Sequence, residues 1–165
     1  MRWHGEMISI SCGTGKTIAV DVESLEGSNL TGIDLHRAQL SRFVLSGATL
    51  HGVDLRGAEL DHAVLDRCDF EGANLATASL LHASLEGARL HHAILAGADF
   101  RHSTLRCADF EGADFGGADF RYADIRGANM AGTRLQTAYF ASTVADATTS
   151  FPESFHIDGS GIVME

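Results

Sequence analysis

The chain has almost no proline and few cysteines, and each scarcity excludes a class of protein. Proline occurs once in 165 residues, at Pro152, whereas glycine occurs 18 times. This ratio excludes a polyproline segment and indicates many tight turns. The three cysteines, Cys12, Cys68 and Cys107, lie far apart and cannot form a closed set of pairs. They therefore argue against a secreted disulfide scaffold and fit a reducing compartment.

Long apolar runs and basic residues are scarce as well. No apolar run approaches the ~20 residues that a membrane span needs, and no uninterrupted apolar segment follows the first charged residues. We therefore expect a soluble, cytoplasmic protein that does not contact a membrane. Acidic residues outnumber basic ones by 22 to 12, which gives a net charge of −10 with neutral histidines. This sign argues against direct binding of nucleic acid, which needs a basic surface.

The dominant feature that is present is a large apolar residue at every fifth position. From Leu30 to Phe140 the 23 positions of this series are all Leu, Phe, Ile or Met, without an insertion. We call each of them the centre of its quintet. Alanine stands two residues before 16 of the centres, Asp or Asn often stands one residue before, and glycine recurs two residues after. The predicted structural core includes Leu30, Leu50, Phe70, Leu90, Phe100, Phe110, Phe115, Phe120 and Phe140.

A period of five fits neither regular element. A helix would spread the centres over its whole surface, and a strand would put successive centres on opposite faces. A chain that turns a corner every five residues places every centre inside, with the small residue beside it and the turn at the glycine. Ile33, Phe43 and Val53 replace the small residue near the N-terminal end. We therefore expect widened early coils, with Phe43 the poorest fit.

The quintets resemble those of the pentapeptide-repeat family, whose motif is Ala, then Asp or Asn, then Leu or Phe, then two freer positions. The segments 108–112, 113–115 and 118–120, which read ADFEG, ADF and ADF, match this motif directly. The resemblance covers roughly residues 25–142. It implies an all-β fold, a right-handed quadrilateral β-helix with four quintets per coil. The 23 quintets then give a solenoid of about six coils, with terminal caps.

The expected organisation is a repeat array with a different segment at each end. Residues 1–24 are expected to form an N-terminal cap or an imperfect first coil, with a possible hairpin around Gly13–Lys16. Residues 25–142 form the array. Residues 143–165 lose the repeat, and we expect a C-terminal cap or a dimerisation segment that covers the exposed edge. Ile10 stands where a phosphate-binding loop would need its first glycine, so no nucleotide site is expected.

Three histidines, His62, His82 and His102, are spaced twenty residues apart and should form one outward column. Arg42 should lie below this column and Tyr122 above it. Stacked imidazoles could hold zinc or copper, but a single column tends to place its rings in parallel rather than around one ion. We therefore expect an exposed ladder without a cofactor, and metal binding at the column stays open as an alternative.

No set of residues indicates catalysis, because polar side chains recur around an array that has no evident pocket. We expect a non-enzymatic scaffold that binds a protein partner through its faces, and a homodimer through the C-terminal end is open. The alternative, which the resemblance implies for acidic members, is a DNA mimic that protects a type II topoisomerase (gyrase) from quinolone-like or peptide inhibitors. The candidate acidic partner face comprises Glu59, Asp61, Asp66, Asp69, Glu71 and Glu86. The candidate apolar patch comprises Val44, Val64, Leu81 and Ile94.

Overall fold

The repeat array pairs with itself at a spacing of twenty residues. The computed structural model describes residues 7–21, 24–132 and 134–165. Within these residues, parallel bridges join single residues that lie just before the centres. Four such series alternate along the chain, so four quintets complete one coil with four sides. We number the sides by their first bridges: Asn29–Thr49 on face 1, Asp34–Asp54 on face 2, Gln39–Glu59 on face 3 and Val44–Val64 on face 4.

The inside of the coils is filled by the centres and by the small residues that precede them. All nine residues of the predicted core are buried, as are most of the alanines beside the centres. The two inward positions of each side are therefore one large and one small, which fits a narrow interior at close packing. Of the three residues that replace alanine near the N-terminal end, Val53 is fully buried, whereas Ile33 and Phe43 are only half-buried.

Nearly every corner between Leu30 and Phe140 is a tight turn in which one residue has a positive φ. At the corner after Leu45, the N–H of Ala48 donates to the carbonyl of Leu45 at 2.8 Å, and Gly47 has a φ of 71°. A positive φ at the third residue of the turn is typical of a type II turn. The same backbone recurs at non-glycine corners, such as His82 with a φ of 58°. The backbone of these non-glycine residues is held in the left-handed region of φ and ψ, which costs energy for a residue with a side chain. The coil therefore imposes the same turn even where glycine is missing.

Phenylalanines fill the C-terminal half of the interior. Phe100 and Phe120 stack with parallel rings and centroids 4.9 Å apart, and Phe140 stacks on Phe120 at 5.4 Å. Phe110, from the opposite face 1, and Phe115, from the neighbouring face 2, meet Phe120 edge-on at 6.0 and 5.6 Å. Parallel and edge-to-face rings both contribute beyond their buried area. Phe120 is therefore at the middle of the aromatic part of the core.

The N-terminal end is an antiparallel hairpin. Strand β1, Met7–Ser11, pairs with strand β2, Thr17–Asp21. The chain leaving β1 pairs antiparallel with the first coil, where the N–H of Gln39 donates to the carbonyl of Ser11 at 2.7 Å. Of the segment assigned to the N-terminal cap, residues 1–6 and 22–23 lie outside the described residues. The hairpin thus supplies backbone partners to the lower edge of face 3.

At the C-terminal end the chain keeps pairing after the five-residue pattern is lost. A 3₁₀ turn, Leu135–Thr137, interrupts face 2, and strand β3, Val144–Ala145, continues face 4. Strand β4, Val163–Met164, pairs with β3 in parallel. Ser150 bridges to Asn129 at a spacing of 21 residues, and Val163 to Val144 at 19. Residues 143–165, expected to depart from the array, therefore extend its ladders with uneven spacing.

Candidate functional site

The corner column after face 3 is a stack of four parallel rings. His62 and His82 have ring centroids 4.9 Å apart, His82 and His102 are also 4.9 Å apart, and His102 and Tyr122 are 4.8 Å apart. We call these four residues the ring column. Imidazole lone pairs lie in the plane of each ring, so parallel rings direct them side by side. The column therefore does not bring three histidine nitrogens to one point, as a metal would require.

Next to the ring column, face 3 carries a ladder of alternating charges. Arg101 donates to Asp99 at 2.7 Å and its Nε lies 3.8 Å from Asp119, to which Arg121 donates at 2.6 Å. The hydrogen bonds from Arg101 lower the pKa of Asp99, although burial opposes the shift. For Asp119, burial raises the pKa, and the bonds from Arg121 outweigh it and leave the pKa below its usual value. These carboxylates are therefore ionised at neutral pH and matched by arginines.

The six residues of the candidate acidic face lie on different sides of the coil. Residues ten apart are two quarter-turns apart, hence on opposite sides. Glu59 lies on face 3 and Asp61 at the corner after it, whereas Asp69 lies on face 1 and Glu71 at the corner after that face. The remaining two, Asp66 and Glu86, stack at the corner between faces 4 and 1.

Several of these carboxylates also have partners within the coil. Asp61 accepts hydrogen bonds from the hydroxyl of Ser79 and, at 3.1 Å, from the N–H of Leu81. Asp66 accepts equivalent bonds from Ser84 and Glu86, at 2.6 and 3.0 Å. In both cases the donors belong to the next coil, so each aspartate links two neighbouring coils. The acidic residues consequently form separate short ladders and do not form one surface.

The candidate apolar patch is divided in the same way. Val44 and Val64 pair directly on face 4, and Val44 is 44% exposed. Ile94 is 41% exposed but lies on face 2, the opposite side. Leu81 is half-buried at the corner between faces 3 and 4. Because Ile94 lies on the side opposite the valine pair, the four residues do not form one apolar surface.

Face 4 carries a charge network around Asp124. Asp124 accepts bonds from Arg126 at 2.7 Å and from Arg106 at 2.6 Å. Arg126 also bonds to Glu165 near the end of the chain, at 2.8 Å. The bonds from Arg126, together with those from Arg106 and against the effect of burial, lower the pKa of Asp124 to about 2. The twenty-residue spacing of Arg106 and Arg126 already places them in one column from the sequence, whereas their bonds to Asp124 and Glu165 come from the structure.

The twenty-residue register, the four sides and the inward centres define a quadrilateral β-helical solenoid. The family description "pentapeptide repeats" matches residues 24–60, 44–80 and 83–121, with 8 copies. The chain belongs to the pentapeptide-repeat family, in which this solenoid is right-handed. Within the described residues there is no helix long and apolar enough to cross a membrane.

Solved structures show the same fold. The pentapeptide repeat protein Rfr23 from the cyanobacterium Cyanothece 51142 has a TM-score of 0.54 at 22% identity, over 76% of this chain and 89% of that one. Trypsin-treated QnrB1, a plasmid-mediated fluoroquinolone resistance protein, has a TM-score of 0.50 at 19% identity, over 83% of this chain and 77% of that one. No curated protein matches the chain significantly. At these identities the likeness establishes the fold alone.

Proposed function

We propose that this protein is a non-enzymatic scaffold that binds a protein partner through face 3 and its ring column. The observation that carries the proposal is the exposure of two tyrosines on this side. Tyr122 is 56% exposed and Tyr139 is 58% exposed. All 23 centres are buried, so two large aromatic side chains left in water are unusual on this protein, and such residues are enriched at interfaces.

The surroundings of the two tyrosines support the same surface. Arg101 and Arg121 lie beside them, and arginine and tyrosine are the residues most often found to dominate binding energy. The arginines are held by aspartates and the ring of Tyr122 is held by stacking on His102, so little entropy of these side chains is lost when a partner binds. The face is also flat, because its residues repeat at one spacing from coil to coil. A flat, ordered surface suits a macromolecule better than a small molecule.

The test is affinity capture from the native host with a matched pair of variants. Replacing both tyrosines, Tyr122→Ala with Tyr139→Ala, should reduce capture of the specific partner at least tenfold. The control, Val44→Ala with Ile94→Ala, removes exposed apolar side chains from faces 4 and 2 and should leave capture unchanged. A partner retained by the tyrosine variant and lost by the control would place binding on another face and contradict the proposal.

Protection of a type II topoisomerase by DNA mimicry is the second candidate. The observations that favour it are the net charge of −10 and the fold shared with QnrB1. Rows of carboxylates one coil apart, at the ~4.8 Å spacing of paired strands, give regular negative charge along the shaft. The interleaved arginines of faces 3 and 4 weigh against it, because they neutralise much of that charge.

A gyrase supercoiling assay with a quinolone separates the two candidates. Mimicry predicts that micromolar protein restores supercoiling in the presence of the drug. It also predicts that Asp66→Asn with Glu86→Gln, at the corner between faces 4 and 1, weakens the effect. No protection at micromolar protein would remove this candidate and leave the scaffold proposal intact.

The remaining expectations are part of the same proposal. We propose about six coils between the hairpin and the C-terminal segment, which act as caps because they supply partners to the end coils. A cytoplasmic location follows from the sequence arguments above. The exposed Val163 and Met164 of β4 offer an unpaired edge at the C-terminal end, where a second copy could add.

A further inference from the structure

Face 1 contains the same set of donor groups twice, exactly two coils apart. The first set is His51, Asp69 and Glu71, and the second is His91, Asp109 and Glu111. In each set the histidine comes from one coil and both carboxylates come from the next. One ligand atom from each residue lies within 4.8 Å of the other two. Because forty residues are two complete coils, corresponding residues of the two sets occupy equivalent backbone positions.

The two sets differ in what neutralises their carboxylates. In the first set the guanidinium of Arg89 lies 3.2 Å from Glu71 and 3.5 Å from Asp69. The residue two coils after Arg89 is Asn129, whose amide donates to Asp109 at 3.0 Å and brings no charge. Across residues 7–21, 24–132 and 134–165, no arginine or lysine forms an ion pair with Asp109 or Glu111. The pair of carboxylates is thus neutralised by an arginine in the first set, whereas the second set has a neutral amide at the equivalent position.

The second set is also prepared as a ligand set. The Nε2 of His91 lies 2.7 Å from a carboxylate oxygen of Asp109, so two donors already converge. The donors in a tetrahedral site lie about 3.4 Å apart, which small rotations of these side chains can reach.

We propose that His91, Asp109 and Glu111 bind a divalent transition-metal ion of the Zn²⁺ class, and that Arg89 blocks the equivalent site at His51. One imidazole and two carboxylates suit zinc, with water completing the coordination. The ion would join two neighbouring coils, so its role is to tie the shaft together. This site is independent of the proposed partner face, which lies on the opposite side of the coil.

The test is a calorimetric titration of the full-length chain with zinc chloride at neutral pH. The natural protein should bind one equivalent of Zn²⁺ in the micromolar range. Glu111→Gln should weaken binding at least tenfold, whereas Glu71→Gln, at the matching position of the blocked set, should leave it unchanged. Glu111 is exposed, and circular dichroism should show the same fold for both variants.

Arg89→Gln supplies the second arm. Removing the guanidinium should free the first set and raise the stoichiometry from one to two, with Zn²⁺ as the only probe. Absence of saturable zinc uptake by the natural protein would overturn the proposal. Equal weakening by Glu71→Gln and Glu111→Gln, or a stoichiometry that stays at one in Arg89→Gln, would also overturn it.

Discussion

Phe120→Ala is expected to lower the free energy of unfolding by about 3–5 kcal/mol. Phe120 is fully buried, stacks between Phe100 and Phe140, and meets two further rings edge-on. Its removal would leave a cavity inside the shaft. The surrounding coils cannot move inward to fill this cavity, because each coil is held by backbone hydrogen bonds to its neighbours. Equilibrium unfolding in urea, followed by circular dichroism, measures the change.

Phe155→Ala is the matched control for this substitution. Phe155 contacts Phe140 from outside the last coil and is only half-buried. Its removal opens no enclosed cavity, so the loss should be clearly smaller. Equal losses for the two variants would show that the stacked column does not hold the shaft together.

The interior could be predicted from the sequence because one spacing governs it. Every centre from Leu30 onward lies at a multiple of five, and a corner every fifth residue is the one simple path that places all of them inside. The small residue beside each centre then follows from the width of the coil. Phe43 shows the limit of this reasoning. It was expected to be the poorest fit, and it is half-buried at an end where fewer coils surround it.

The outer surface was predicted less well, because outward residues interact at spacings that sequence proximity hides. Glu59 and Asp69 are close in sequence, yet their quintets point to opposite sides. Arg89 and Glu71 are 18 residues apart and form an ion pair. A histidine followed by carboxylates 18 and 20 residues later is likewise invisible until the chain is written in rows of twenty. Candidate binding sites on the outer surface are therefore found by comparing residues about twenty positions apart, and not residues that are neighbours in sequence.

The two ends could not be read from the repeat at all. The hairpin of residues 7–21 was indicated by alternation, but its bonds to the first coil depend on the position of Gln39. At the other end, Ser150 and Val163 continue the ladders without the quintet pattern. Backbone bonds need no particular side chain, so pairing can continue where the apolar period has stopped.

The central claim is that residues twenty apart lie directly above one another at the same corner, and one disulfide tests it. A Cβ added at Gly127 would lie 3.1 Å from the Sγ of Cys107, and Cys107 is exposed. Gly127→Cys should therefore oxidise readily to a bond with Cys107, because the separation fits disulfide geometry. Cys68 should not compete, since burial raises its pKa to about 12.

Gly117→Cys is the control, because Gly117 has a similar φ but lies ten residues from Cys107, on the opposite corner. Peptide mapping by mass spectrometry of the oxidised monomers measures both. We predict a nearly complete bond between positions 107 and 127 and none between 107 and 117. A bond to position 117, or no bond in either variant, would contradict the twenty-residue coil.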